Sequence, residues 1–389
     1  MTSNRTIDPI FLDYQSTTPM DPRAVEIMLP WFTEKFGNPH SADHKHGWDG
    51  AEAIDIARAK VANLIGAKGK EIIFTSGATE SNNIAIKGVA RARKRIDGRN
   101  KIVILSTEHK CVLESAVRLT HEGFEVIALP VKPDGLVDLE LLAQTVDEKT
   151  SLVSIMGVNN EIGVIQPLVE IGKICKASGA YFHSDCAQAV GKIPVDVKAM
   201  NIDLMSISAH KLYGPKGVGA LYVTRKPRIA VDPIIDGGGQ EKGLRSGTLA
   251  PALCVGFGAA CDLADEEMSV EAKRLENMRS DFLERLQAEI PDVVVNGSMS
   301  ARVAGNLNLT FKGIEATELM AALDGLSVSA GSACSSGDES YSHVLHAIGH
   351  DPAIVAASLR IGFGRFTTEL EMSDALNQLI AAVKRLRNC

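Results

Sequence analysis

From about Gly66 to about Leu221, short apolar runs rich in β-branched residues alternate with stretches whose apolar positions recur every three or four residues. EIIFTS, KIVILS, FEVIALP, SLVSIMGV, YFHSD, DLMSIS and GALYV are runs of strand length, and NNIAIKGVARARKR, CVLESAVRL and IGKICKASG between them have helical spacing. A strand that reads as a continuous apolar run has to be covered on both faces, so the alternation predicts a mostly parallel sheet between helices, an α/β domain. The pattern changes after the glycine cluster IIDGGGQEKGLRSGT. A long helix is expected from roughly Leu253 to Ile290, followed by short strands at VVVNG, NLNLTF, LSVSAG and SLRIGFG, and EMSDALNQLIAAVKRLR closes the chain as an amphipathic helix. This second part reads as a smaller α+β domain hinged by the long helix, with the residues before Asp21 packing on one of the two domains.

Composition narrows the function classes. With 389 residues, 45% of them hydrophobic, the chain can bury a large core. Its net charge of -7 comes from 41 basic and 48 acidic residues that are interspersed, so no basic face argues for nucleic acid or an anionic membrane. Small molecules and other proteins are the expected partners. No apolar run approaches the roughly 18 residues of a membrane span, and MTSNRTIDPIFLDYQ has neither a secretory apolar core nor an Arg-rich presequence, so a soluble cytoplasmic chain is expected. Seven cysteines, odd in number and without a CxxC pair, read as reduced thiols, most of them inert.

Three local features carry candidate chemistry. Ser76-Gly-Ala-Thr-Glu80 follows an apolar strand and opens a helix, where free backbone N–H groups and a Thr hydroxyl could cradle a phosphate. Such turns are common in α/β folds and most bind nothing. Asp185 ends a buried strand, the edge at which open α/β sheets bind ligands, although an Asp there can equally cap the next helix. Lys211 follows another strand in SISAHKLYGPKGVGALYV; an amine at such an edge is either a solvated loop group or, desolvated, a nucleophile for carbonyls. Together they are the parts that pyridoxal 5′-phosphate requires: donors for its phosphate, an anion for its ring nitrogen and an amine for its aldehyde.

With these parts in view the sequence resembles a known family. Gly77-Ala-Thr-Glu-Ser81, Thr107-Glu-His-Lys110, Val158-Asn-Asn-Glu-Ile-Gly163, His183-Ser-Asp-Cys-Ala-Gln188, Ser208-Ala-His-Lys-Leu-Tyr-Gly-Pro-Lys-Gly217, Arg245-Ser-Gly-Thr248 and Gly331-Ser-Ala-Cys334 resemble, in order, the signatures of cysteine desulfurases. These are class V, fold-type I pyridoxal-phosphate enzymes, and the likeness is to the NifS/IscS branch, from about Phe11 to Arg387. The resemblance implies a fold-type I transferase with a large domain over 16–252, built on a mostly parallel sheet of seven-stranded type. Residues 1–15 and 253–389 would form the small α+β domain carrying the catalytic-cysteine loop. It implies that Lys211 bonds the cofactor aldehyde and shuttles the substrate α-proton, that Asp185 pairs with the ring nitrogen, and that Gln188 hydrogen-bonds the ring hydroxyl. His109 would stack on the ring and act as acid and base. Gly77, Ala78, Thr79, Ser208 and His210 would hold the phosphate, with Thr248 reaching in from a second subunit of a homodimer. Asn160 and Arg360 would fix the substrate carboxylate. Cys334, in a small-residue stretch, would take sulfur from L-cysteine as a persulfide and pass it to an iron–sulfur scaffold or a tRNA-thiolation protein. A selenocysteine lyase or a class V aminotransferase is the alternative on the same scaffold.

The remaining candidates are expected to be structural. No metal is expected: His40, His44 and His46 lie in a segment resembling the family's FGNPHS, and His343, His346 and His350 read as a polar helix face. Cys111 is close to His109 in sequence, but near neighbours seldom face each other on a helix, so it reads as structural. Gly237–Gly239 would permit close packing near the dimer interface. The segment SSGDESY departs from the Glu-Pro pair common in these enzymes. The sequence also lacks their Ser-Pro-Leu-Trp-like tail, so scaffold binding by the usual route is not expected, and a tRNA-thiolation protein, another carrier or a scaffold gripped differently is the expected acceptor.

Overall fold

A computed structural model describes residues 8–330 and 342–388. The strands in chain order are β1 (Ile10–Phe11), β2 (Ile72–Thr75), β3 (Lys101–Leu105), β4 (Glu125–Leu129), β5 (Thr150–Ser154), β6 (Tyr181–Asp185), β7 (Leu204–Ser208), β8 (Gly219–Val223), β9 (Val294–Val295), β10 (Asn306–Thr310), β11 (Leu326–Ser327) and β12 (Ser358–Gly362). All seven runs expected as strands before Leu221 form one sheet, in the order β2-β8-β7-β6-β5-β3-β4. The pairs within β7-β6-β5-β3-β4 are parallel, and β8 runs antiparallel to both of its neighbours. β2, β3, β5, β7 and β8 are buried along their whole length, which is why their sequences show no polar alternation; β4, at the edge, is only partly buried, with Glu125 and Ala128 exposed.

Because β2 and β7 both run antiparallel to β8, the C-terminal ends of β2, β3, β6 and β7 meet at one edge of the sheet. Register makes this specific: Gly219 of β8 lies opposite Thr75 of β2 and opposite Ser208 of β7. The stretches that follow those strands are therefore neighbours, whatever their separation in sequence. Beneath the edge, Phe74, Phe182 and Phe257 are fully buried, and each such side chain contributes about 1.5–3 kcal/mol by leaving water. His183 locks the sheet from within, since its two ring nitrogens lie 2.8 Å from Ser154 Oγ on β5 and 3.0 Å from Ser206 Oγ on β7.

The helix expected through residues 82–95 begins earlier, at Ala78, and contains one wider π turn over Ile84–Gly88 before continuing to Asp97. The expected long helix spans Pro251–Glu289, and the terminal one Glu369–Arg387. Thr368 and Glu371 cap that last helix reciprocally, a Thr-x-x-Glu signal visible in the sequence that places its start two residues earlier than its apolar period does. VVVNG and LSVSAG provide only two-residue strands: β9 edges the antiparallel sheet β12-β10-β9, and β11 pairs in parallel with β1.

Two main cores result. One fills the space around the large sheet and includes Cys254, Phe257, Ala260 and Ala264 from the first part of the long helix. The other gathers Leu12, then Leu275, Met278, Phe282 and Leu286 from the same helix, with β10, β12 and the last helix. Arg365 ties the segments together. It reaches Asp21 at 2.9 Å and Glu271 at 2.8 Å, and its guanidinium lies 4.3 Å from the centre of the Tyr213 ring. Hydrogen bonds from Arg23 and Arg365 hold the Asp21 carboxyl down at about 2. Among the described residues no helix is long and apolar enough to cross a membrane.

Candidate active site

At the shared sheet edge lies a cavity of about 630 Å³. Gly77, Ala78 and Thr79 line it from the turn after β2, His109 from beyond β3, Asn160 from beyond β5, Asp185 and Gln188 from the end of β6, Ser208, His210 and Lys211 from the end of β7, and Arg360 from β12. Eleven of the thirteen residues singled out in the sequence thus surround one space. Thr248 is exposed and lies outside this lining, and Cys334 falls outside the described residues.

The electrostatics of the cavity centre on Asp185, which is 6% exposed. Its Oδ2 accepts from Asn82 Nδ2 at 2.7 Å and its Oδ1 from the Ala187 N–H at 3.0 Å. Both donors are neutral, and among the described residues no salt bridge reaches Asp185, so a buried carboxylate is matched by amides alone. Lys211 Nζ donates to the carbonyls of Gln15 and, at 2.7 Å, Ser16, which bring the N-terminal segment over the cavity.

His109 caps the helix Lys110–Thr120 in an extended backbone conformation, φ -61° and ψ 145°. Its Nδ1 accepts from the Cys111 N–H at 3.2 Å and lies 3.0 Å from Cys111 Sγ. This corrects the expectation that the two side chains point apart: His109 stands outside the helix, so its ring folds back over the first turn. Burial pushes the Cys111 thiol up to about 12, so it is an S–H and, like the Cys111 N–H, can donate to Nδ1. Burial also lowers the basicity of His109, assisted by Lys211 and opposed by Asp185. A neutral ring whose Nδ1 accepts keeps its proton on Nε2. His210, brought down to about 4 chiefly by burial, is likewise neutral, with Nδ1 3.0 Å from Thr17 Oγ1.

The turn after β2 suits an anion. Gly77 adopts φ 154° and a Cβ there would meet nothing within 4 Å, so the backbone of this turn faces open space. Gly77 supplies no side-chain cap to the helix it precedes, which leaves the amides of the first turn available. Across from it, Gly219 permits a close approach, since a Cβ there would sit 2.7 Å from Gly77 Cα and 2.5 Å from Ile207 O. On the far side, Arg360 donates to the Asn160 carbonyl at 2.9 Å and pairs with Asp13 at 2.7 Å. Asn160 Oδ1 and Arg360 Nε are buried and, among the described residues, have no hydrogen-bond partner. Orphaned polar atoms of this kind are costly and point to a ligand that completes them.

Some of the surroundings are not legible in the sequence. Asn82 holds Asp185, and its Nδ2 also reaches Cys111 Sγ at 3.0 Å. His343, read from its spacing as part of a polar helix face, instead lines the cavity, with Nε2 2.9 Å from the Glu108 carbonyl. Glu108 is wholly buried, and its carboxyl is pushed well above the usual range by desolvation. His40, His44, His46 and His346 are exposed, and among the described residues no group of three or more His, Cys, Asp or Glu could hold a metal ion. Burial raises the Cys186 and Cys254 thiols to about 12, which makes them inert packing groups.

The aminotransferase class-V family matches residues 10–374. The cysteine desulfurase IscS of Rickettsia bellii (strain OSU 85-389) is 51% identical over 385 residues, covering 99% of this chain and 93% of that protein. The probable mitochondrial cysteine desulfurase of Dictyostelium discoideum is 54% identical over 380 residues, covering 98% of this chain and 84% of that protein. Among solved structures, a NifS-like protein superposes with a TM-score of 0.90 at 36% identity, over 97% of this chain and 100% of the other. A NifS-like protein from Rickettsia africae ESF-5 superposes with a TM-score of 0.83 at 31% identity, over 98% and 100%. The chain belongs to the class-V aminotransferase family of fold-type I, pyridoxal-phosphate-dependent enzymes. Within it, the chain groups with the proteins named IscS- and NifS-like cysteine desulfurases. The residues present fit the family's cofactor: a buried carboxylate that, among the described residues, has no salt bridge, for a protonated ring nitrogen; an amine lining the same cavity; and an open glycine turn for a phosphate.

Proposed function

We propose that this enzyme is a cysteine desulfurase, converting L-cysteine to L-alanine and carrying the sulfur away as a persulfide on Cys334. The observation that carries this reading is the convergence of Lys211, Asp185, His109 and the Gly77 turn on one cavity, in a chain more than half identical to named cysteine desulfurases over nearly its whole length.

When bound, pyridoxal phosphate draws electrons away from the substrate's α-carbon, provided its ring nitrogen stays protonated. Asp185, buried beside neutral amides, holds that proton. Gln188 donates to the ring oxygen. The Gly77 turn, through the amides of Ala78 and Thr79, would take the phosphate together with Ser208 and His210. Lys211 is the amine that would hold the cofactor through its aldehyde, and its free amine would take up and return the substrate α-proton. His109, with its proton on Nε2, exchanges a proton at the substrate. Arg360 and Asn160 receive the substrate carboxylate, using the Arg360 Nε–H, which has no acceptor among the described residues. The Cys334 thiolate forms an S–S bond to the substrate sulfur as the carbon–sulfur bond breaks, and the electron pair of that bond goes to the carbon that becomes alanine's methyl group.

Residues 16–252 form the large domain, and 1–15 with 253–389 the small one; the separate core containing Leu12 and Leu275–Leu286 favours this division, with the first part of the long helix packing on the large sheet. The active enzyme is a homodimer in which Thr248 completes the partner's phosphate site. Thr248 is exposed, and Leu29 (59%), Phe32 (57%), Phe36 (68%) and Trp48 (57%) leave large apolar side chains in water, which a partner subunit would cover. The acceptor is a protein of iron–sulfur assembly or tRNA thiolation, and the chain works in the cytoplasm.

The test is to incubate the purified holoenzyme with L-cysteine and quantify alanine together with the mass of the Cys334 peptide. One added sulfur on that peptide, lost with alanine formation in Cys334→Ser, is expected. Full turnover of an amino acid by Cys334→Ala would favour an aminotransferase instead.

A further inference from the structure

The turn after β6 carries Gln188 and, four residues on, Lys192. Hydrogen bonds from Ala189 and Val190 to Cys186 and from Ile193 to Ala189 wind this stretch helically, so side chains four apart lie side by side. Lys192 Nζ is 2.6 Å from Gln188 Oε1, while Gln188 Nε2 donates to the Gln15 carbonyl at 2.7 Å. Chemistry fixes which way the amide points. A carbonyl only accepts, so the atom facing Gln15 is the nitrogen, and the oxygen therefore faces Lys192. Nε2 has a second N–H, for which no other acceptor among the described residues is present, and Gln188 lines the cavity.

The Gln15 carbonyl also accepts from Lys211, so at that end the amide shares its anchor with the amine that joins the cofactor. The other end is held by Lys192 alone among the described residues. Without Lys192, Gln188 Oε1 would be left in a buried setting with no donor, and rotation of the amide would turn the carbonyl toward the cavity.

We propose that Lys192 is a positioning residue of the active site: by clamping Gln188 Oε1 it makes the Gln188 amide present an N–H, and not a carbonyl, to the ring oxygen of the cofactor. This rests on the cavity being the pyridoxal-phosphate site. An N–H there stabilises the deprotonated ring oxygen, whereas a carbonyl repels it. Lys192 is also a nearby charge. Burial brings its amine down to about 7, with Lys211 and Arg360 pushing the same way and Glu271 of the long helix opposing them. Its charge could therefore act on the cofactor directly, and the experiment has to separate the two routes.

The readout is the visible absorption of the bound cofactor as a function of pH in holoenzyme, not turnover. Lys192→Met raises the pH midpoint of that band by about one unit, the size of a hydrogen bond to a charged group. Gln188→Leu raises it as well, and Lys192→Met combined with Gln188→Leu shifts it no further than Gln188→Leu alone. A wild-type midpoint in Lys192→Met overturns the proposal. So do shifts that add in the double variant, which would assign Lys192 a direct charge effect. If Lys192→Met does not fold, Lys192→Leu carries the same expectations and the same overturning results. Failure of the underlying reading looks different: wild-type protein would then show no visible band that disappears in Lys211→Ala.

Discussion

His183 shows how a single side chain can be structural in the middle of a catalytic sequence. It stands two residues before Asp185, yet it faces Ser154 and Ser206 inside the sheet and never enters the cavity lining. Desolvation brings its proton affinity down to about 3 from an ordinary 6.5. Between those values the unfolded chain binds a proton that the folded chain refuses. Its contribution to stability is therefore undiminished above pH 6.5 and declines as pH falls from there toward 3, by about 1.4 kcal/mol per pH unit. His210, brought down to about 4, adds to the same decline. Denaturant midpoints measured at pH 7, 6 and 5 should fall progressively, and His183→Gln should show a shallower fall. Identical slopes for both proteins would remove His183 as the source.

Gly219 plays the corresponding part at the level of elements. Nothing in GALYV marks its first residue as more than the start of a strand. In the sheet, however, it separates Thr75 from Ser208 and allows the Gly77 turn to lie against β7 and β8. Gly219→Ala would place a methyl group 2.5 Å from Ile207 O and 2.7 Å from Gly77 Cα, both backbone atoms that cannot swing away. The expected cost is about 1–3 kcal/mol of stability, with weaker cofactor retention because the phosphate turn is displaced. Thermal unfolding and equilibrium dialysis of pyridoxal phosphate measure the two effects separately. The elements themselves were largely legible: periodicity and burial are local consequences of composition, so all seven strands of the large sheet and the long helix fell within a few residues of expectation. The π turn at Ile84–Gly88 and the two-residue lengths of β9 and β11 were not, because they depend on what packs alongside.

At the scale of the whole molecule, the N-terminal segment, the long helix and the stretch after β12 meet at Arg365. The charges there are enclosed, with Asp21 at 1% and Arg365 at 8% side-chain exposure. Removing one partner leaves the others buried and uncompensated, so Arg365→Met should cost about 3 kcal/mol or more. It should also loosen the N-terminal segment whose Gln15 and Ser16 carbonyls receive Lys211. Urea unfolding followed by tryptophan fluorescence gives the loss of stability; a loss under 1 kcal/mol would show that this network contributes little.

What the sequence determined alone was the order and kind of the parts: strand and helix lengths, a glycine turn after one strand, an Asp and a Lys after two others. These are set by residues within a turn or two of one another, and local chemistry suffices to read them. The tertiary structure alone decided which groups complete each part. Asn82 meets Asp185 across 103 positions, His343 meets the Glu108 carbonyl across 235, and Arg360 meets Asp13 across 347. Such partners are chosen by strand order and register at the sheet edge, where residues far apart in the chain are forced within hydrogen-bonding distance.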